Sequence, residues 1–191
     1  MANNSNTIIS IKDFFDRHKG LQRNNRYSVS FINLPQTLPQ IAEEDYQTLG
    51  VAMGARAIDG IADNLMGYGA GRIVPRSQKF VGGVLLSFAV TNDNFIVDLF
   101  NKWFNLIYSG GRAKGNYAAP FQLSFYDDIV YNTQMKVNLL DPNGNTNKTF
   151  TFYEVYPVEN IPFELSMVRT NEYLIYQVLM NYREFTITEP S

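Results

Sequence analysis

Four places in the chain carry residue types at spacings that chemistry uses. Asp127-Asp128 is an adjacent carboxylate pair after a strand-like stretch, the kind of pair that acid–base catalysis or metal binding draws on. Neighbours on a strand point to opposite faces, so these two share neither a proton nor a metal ion, and they read as turn residues. Asp141-x-Asn143-x-Asn145 has the spacing of the first ligands of a calcium loop, but the twelfth position is Phe152 where a bidentate Glu is needed. It reads as a hairpin turn. Gly67-Tyr68-Gly69-Ala70-Gly71-Arg72 is glycine-rich like a phosphate cradle, yet no Lys-Ser/Thr follows it and no strand-to-helix frame surrounds it. His18, flanked by Arg17 and Lys19, reads as a charge at a helix end rather than a general base. A small carboxylate enzyme built on Asp127, Asp128 or Glu154 is the catalytic alternative, and no constellation of residues supports it. The expectation is no enzyme, no cofactor and no metal.

Composition points the same way. The 191 residues are 45% hydrophobic and 14% aromatic, with 12 Tyr and 14 Phe against one Trp. Charged residues make up 18%, below the roughly 25% usual for soluble domains. With no Cys there are no disulfides, thiolate metal sites or cysteine nucleophiles, and a single His excludes most triads. The net charge of −2 gives no global reason to bind nucleic acid or an acidic membrane. The polar N-terminus reads as carrying no signal peptide, and the most apolar stretch, Val81 to Val90, is half a membrane span and interrupted by Gly82, Gly83 and Ser87. In that setting the sequons at Asn3 and Asn147 carry no glycan.

Periodicity supplies the elements. A capping box at Ser10 to Asp13 opens a short N-terminal helix ended by Gly20. Arg26 to Leu34 alternates as a half-buried strand, and Gly83 to Thr91 as another. Asn92 or Asp93 caps a helix over 94–109, whose Phe95, Ile96, Leu99, Phe100, Trp103 and Ile107 recur at helical spacing as core. After a basic loop (Arg112, Lys114, Gly115), strands are predicted at Phe121–Tyr126, Tyr131–Leu140 and Thr149–Val155, the last two joined by the Asp141–Asn145 turn. A break at Tyr156–Asn160 precedes a strand at Pro162–Val168 and a turn at Thr170-Asn171. The chain then predicts one strand over Tyr173–Thr186, with Leu174, Tyr176, Val178, Met180 and Tyr182 on one face. Such a strand spans roughly 45 Å and should protrude or join a sheet shared with another copy. Residues 36–77 show neither period and read as a long irregular excursion that becomes ordered against a partner.

Charge is split along the chain. Residues 1–119 hold 12 basic and 9 acidic groups, a balance of +3, and residues 120–191 hold 4 and 9, a balance of −5. Head-to-tail self-association brings such halves together, with heterologous symmetry.

The order of these elements resembles the tail tube proteins of contractile-tailed bacteriophages. The resemblance covers residues 21–187. It is carried by Arg26-Tyr-Ser-Val-Ser-Phe-Ile-Asn-Leu-Pro35, by Pro75-Arg-Ser-Gln-Lys-Phe80 leading into the strand at 84–91, and by the Asn92-Asp93 helix start with Phe100-x-x-Trp103. The C-terminal part adds a hairpin, Tyr156-Pro157, Glu159-Asn160 and two final antiparallel strands. It implies a mainly β (α+β) fold: an antiparallel β-sandwich, barrel-like, with one flanking α-helix and a long irregular loop insertion. The implied organisation is an N-terminal helical arm (1–20), a tail tube domain (21–187) with an inter-ring loop at 36–77, and a C-terminal tail (188–191). The implied function is a structural virion subunit that forms hexameric rings, stacked into the hollow tube through which phage DNA is ejected. The alternative is a baseplate tube-initiator or tail-terminator protein forming a single ring, and the tube protein of type VI secretion is related. The implied partners are further copies of the chain, a tail sheath protein and baseplate or terminator proteins. DNA passes without specific binding and no membrane is involved. The expected place is the virion tail, assembled in the host cytoplasm. The length of the 36–77 insertion and the N-terminal helix depart from the family pattern. Within this frame Tyr46, Leu49, Met53, Ile58, Leu65, Met66 and Tyr68 are the expected inter-ring residues, and Glu164, Gln177, Asn181 and Arg183 the expected lumen residues.

Overall fold

The computed structural model describes residues 25–42, 45–63, 72–109, 122–123, 132–162 and 174–189. The N-terminal helix, the Gly67–Gly71 run, Asp127-Asp128, all of the Pro162–Val168 strand beyond Pro162, and the Thr170-Asn171 turn lie outside those residues. Among the described residues, twelve strands and one helix run in the order β1 (Tyr27–Ile32), β2 (Thr48–Ala52), β3 (Ala55–Asp63), β4 (Arg72–Val81), β5 (Val84–Ala89), α1 (Phe95–Ile107), β6 (Tyr108–Ser109), β7 (Gln122–Leu123), β8 (Gln134–Leu140), β9 (Thr146–Tyr153), β10 (Tyr156–Ile161), β11 (Ile175–Asn181) and β12 (Glu184–Thr188).

Two four-stranded antiparallel sheets form the body, one ordered β1-β8-β9-β12 and the other β10-β11-β5-β2. Period-2 alternation sends Val29, Phe31, Met135, Val137, Phe152 and Phe185 inward from the first sheet, and Val84, Leu86, Phe88, Tyr176, Val178 and Met180 inward from the second. Helix α1 packs on both. Its buried stripe is Ile96, Leu99, Phe100 and Trp103. The Phe100 ring stacks on Trp103 at 5.9 Å, meets Phe31 of the first sheet at 6.3 Å and meets Phe88 and Tyr176 of the second at 5.5 and 6.0 Å. At the helix start the Asp93 carboxylate accepts hydrogen bonds from the Thr91 hydroxyl and, at 3.4 Å, from the Phe95 N–H. Those bonds hold its carboxyl below the ordinary range.

The β8–β9 hairpin closes on Asp141, whose Oδ1 accepts the Asn143 and Asn145 backbone N–H at 2.7 and 2.8 Å. This is the turn reading of the Asp-x-Asn-x-Asn spacing, with Gly144 at φ 85°. The Asn145 amide first, and then that of Asn143, hold the Asp141 carboxyl below its ordinary value. A depressed carboxyl stabilises the folded turn above its unfolded-state value, about 3.9, and that contribution disappears as pH falls through the folded value. The Asn143 and Asn145 amides should therefore lose protection from exchange on acidification below about pH 4. Asp141→Ala should show the same loss of protection, measured against an unstructured amide at the same pH, already at neutral pH. Unchanged protection in both tests would remove Asp141 as the turn's anchor.

The long C-terminal strand does not form. Tyr173–Thr186 divides into β11 in one sheet and β12 in the other. Arg183 N donates to Tyr153 O although Glu184 is the register partner of Tyr153, so two residues stand opposite one. That bulge reverses the parity, and Phe185 is buried where the alternation would place it on the outward row with Asn181 and Arg183. The break expected at Tyr156–Asn160 is instead strand β10, an edge position where Pro157 is tolerated. Nor is 36–77 irregular throughout: it contains β2, β3 and part of β4.

Candidate assembly surfaces

Two long ribbons bend out of the sheets, and the candidate surfaces lie where they do so. In the first, β9 and β12 pair in one sheet while β10 and β11 pair in the other. The turn from sheet to sheet is made at Glu154, at φ 55°, on one side and at Tyr182–Arg183 on the other. Glu154 is buried at 7%, and its Oε1 takes the Arg183 guanidinium at 2.7 Å, which ties the two bends together. Val155 N donates to Thr133 O at 3.2 Å and fixes the same corner to the start of β8.

The second ribbon continues the β2–β5 pair past Gly54 and Gly82-Gly83 into the β3–β4 hairpin. Gly82 sits at φ 79°, and a Cβ on Gly54 would collide with the Tyr182 hydroxyl, so both bends need glycine. The hairpin lies outside both sheets. Its root packs on the first ribbon's corner: Phe80 meets Phe185 at 5.3 Å and Tyr182 at 6.1 Å. The Arg56 guanidinium donates to Phe185 O at 2.8 Å and stands 4.4 Å from the centre of the Phe185 ring. Burial pushes the Tyr182 phenol up, so it stays neutral in this contact.

Cross-strand register fixes the faces of this arm. Arg56 pairs with Phe80 and the position of Ala62 with Ile73, so Arg56, Phe80, Ile58 and Ile73 share one face, the extra residue falling at Arg76. Ile73 lies directly over Gly60. The stripe covers the subunit's own core at Phe80 and runs on beyond it, leaving Ile58 74% and Ile73 77% exposed. The opposite face carries the Lys79–Asp59 ion pair at 3.7 Å.

The expected inter-ring residues separate on this geometry. Ile58 is on the arm, and Leu49 and Met53 are exposed on the way to it. Tyr46 turns inward, its hydroxyl donating to Val29 O at 2.6 Å and its ring packing on Phe31 and Phe88. Leu65, Met66 and Tyr68 lie outside the described residues. Ile73 had no sequence signal beyond its type, because it follows the glycine-rich run.

Of the expected lumen residues, Gln177 sits mid-sheet beside Leu85 and Leu179, its amide donating to Ser87 Oγ at 2.9 Å. Asn181 is exposed and donates to the Tyr156 hydroxyl at 2.8 Å. Arg183 stands at the corner with Glu154, and Glu164 lies outside the described residues. The outer face of the β1-β8-β9-β12 sheet is a broader polar field. Ser28, Asn138, Thr149 and Thr188 form one row across it, and Ser30, Lys136, Thr151 and Thr186 the next. Asn138 donates to Ser28 Oγ at 3.2 Å and accepts from the Thr149 hydroxyl at 2.9 Å.

Among the described residues no His, Asp or Glu cluster could hold a metal ion, and no helix is long and apolar enough to cross a membrane. A family model described as phage tail tube protein matches residues 22–188. No curated protein matches the sequence. Among solved structures, the chain is similar to the tube-terminating cap of the anti-feeding prophage, with a TM-score of 0.60 and 13% identity over 89% of this chain and 92% of that one. It is also similar to a chain of the anti-feeding prophage baseplate, with a TM-score of 0.57 and 15% identity over 86% and 93% of the two chains. A chain of the PVC extracellular contractile injection system, from its sheath-tube complex in the extended state, gives 0.57 and 10% over 89% and 93%. At these identities the likeness is one of fold.

Proposed function

The chain belongs to the phage tail tube protein family, and from that premise we propose that it is a structural subunit of a hollow tail tube. It self-assembles into hexameric rings that stack and pass DNA, and it performs no chemistry. The observation that carries this reading is the β3–β4 arm. An apolar stripe that leaves its own body with Ile58 and Ile73 uncovered is stable in water only at a cost, which a second copy removes. Residues 55–81 hold four basic and two acidic groups, so the arm is the positive partner for the acidic C-terminal half of the next copy. Ring stacking through the arm uses Ile58 and Ile73, with Leu49 and Met53 at its base. Leu65, Met66 and Tyr68 belong to the same assignment by sequence.

The channel is assigned to a polar outer sheet face. A conduit must not hold DNA, since each phosphate neutralised by a cation adds salt-dependent affinity. Arg183 meets that condition because its charge is answered by Glu154 at 2.7 Å. Sheath, baseplate and terminator proteins are the proposed partners, and the virion tail the proposed place.

A terminator, cap or baseplate ring is the second reading, favoured by the equal likeness to a cap and a baseplate chain. Titrating the purified protein against preformed tubes separates the two by electron microscopy. A tube subunit lengthens the tubes in proportion to the protein added, whereas a terminator saturates at one ring per end. A monodisperse monomer at every concentration, with no binding to tubes, would refute both.

A further inference from the structure

Among the described residues the β3–β4 arm pairs with no other strand, so its direction is set where it leaves the body. The backbone there does not fix that direction. Both strands leave through glycine, at Gly54 and at Gly82, and a side chain on Gly82 would meet nothing within 4 Å. Glycine admits a wide range of φ, so the covalent chain alone permits many angles. Two side chains narrow the choice, one from each strand of the arm. Phe80 of β4 sets its ring against Phe185 at 5.3 Å and Tyr182 at 6.1 Å. Apolar burial is non-directional, so this contact tolerates a change of tilt. Arg56 of β3 is directional. Its guanidinium donates to Phe185 O at 2.8 Å and stands 4.4 Å from the centre of the Phe185 ring and 5.8 Å from that of Phe80. Carbonyl and ring belong to one residue of β12, and a planar fork that meets both is held in one orientation.

The arm amplifies any error made at its root. From Arg56 to Asp63, where β3 ends, the strand runs about 23 Å at ~3.3 Å per residue. A tilt of about 20° carries that end sideways by about 8 Å, more than the ~4.8 Å between paired strands. Ile58 stands near the root and Ile73 opposite Ala62 near the far end, so the stripe meets a neighbour only when the whole line is aimed. We propose that Arg56 is the positioning residue of the arm. Clamped on Phe185, it fixes in the free subunit the angle at which Ile58 and Ile73 meet the next ring. The proposal rests on the stacking reading and adds to it the residue that preorganises the contact. A surface presented at one angle binds with its full affinity, whereas one competent only part of the time loses affinity in proportion.

The chain has no Cys, so a pair of introduced cysteines can carry spin labels without interference. Val74→Cys on the arm and Asn101→Cys on α1 are exposed positions, and Val74 lies on the face away from the stripe. Electron–electron resonance on the free labelled subunit should give one sharp distance. The same distance should persist when labelled subunits are diluted into unlabelled tubes, and a distance that moves on assembly overturns the preorganisation. Arg56→Met keeps the stem and removes the donors. It should broaden the distance while the melting temperature, as for an exposed side chain, stays within about 2 °C. Its assembly threshold should rise about tenfold, the factor one hydrogen bond is worth. Arg56→Lys, with the charge and a donor but no planar fork, should recover part of both losses. A sharp distance in Arg56→Met overturns the proposal, and so does an unchanged threshold. A lowered threshold overturns it too, since Arg56 would then be a lock on the arm. A loss of stability as large as that of a core substitution would make Arg56 part of the fold rather than a positioning residue. Sharp distances in an otherwise unchanged chain that never assembles would overturn the stacking reading itself, a result distinct from all of these.

Discussion

Trp103→Ala should be the most destabilising single substitution in the described core, costing about 3–5 kcal/mol. The indole is fully buried, stacked on Phe100 at 5.9 Å and 11° and edge-on to Phe31 at 6.0 Å. It therefore joins helix α1 to the first sheet, and through Phe100 to the second. Removing it leaves a cavity bounded by two rings, each held by its own element, so little collapse can follow. For a chain of this length the expected loss of melting temperature is roughly 6–20 °C by thermal unfolding. Trp103→Phe is the informative control. The indole N–H has no hydrogen-bond partner among the described residues, so phenylalanine removes volume and no hydrogen bond. Its cost should stay near about 1–2 kcal/mol. A Trp103→Phe variant as unstable as Trp103→Ala would mean that the indole nitrogen, and not the ring volume, holds the helix.

The helix and the hairpins were legible because burial imprinted them. Ile96, Leu99, Phe100 and Trp103 recur at helical spacing because one stripe faces the core. Met135 and Val137 alternate with polar neighbours because one face of β8 does. The β3–β4 arm was not legible for the converse reason. With both faces in water, nothing selects alternation, and a regular hairpin leaves no period of two. Fourteen residues from Tyr173 to Thr186 read as one strand because apolar residues alternate as far as Tyr182, and the parity reversal is caused by one extra residue at Arg183. A single-residue bulge has no compositional signature. The same holds at Glu154, where a glutamate at φ 55° has its carboxylate met by Arg183, distant in sequence. The residue types at the candidate surfaces were visible, but their grouping was not: Ile58 was selected without Ile73, which only the register places on the same face.

That pairing supports the substitution with the largest expected effect on assembly. Ile58→Asp combined with Ile73→Asp should leave the free subunit as stable as the wild type, within about 0.5 kcal/mol, because both side chains are mostly in water. Stacked rings would have to bury two carboxylates on the stripe that Phe80 begins. An unpaired buried charge costs several kcal/mol, and the cost recurs at every subunit of a ring. Even about 3 kcal/mol per subunit weakens a contact more than a hundredfold, so ring stacking should vanish from electron micrographs at any practical concentration. Asp59→Asn is the control, because Asp59 pairs with Lys79 at 3.7 Å on the opposite face. An exposed pair contributes little, so this variant should stack as the wild type does. If the double aspartate variant is folded and still forms tubes, the apolar face of the arm is not the stacking surface. If Asp59→Asn also abolishes tubes, the opposite face is the one that docks. The charge split predicts the salt response of the wild type. Attraction between a +3 half and a −5 half weakens once the screening length falls to about 3 Å at 1 M salt, while burial of Ile58 and Ile73 does not. Tubes that form more slowly in high salt but, once formed, persist would place the charges in the encounter and the arm in the bond.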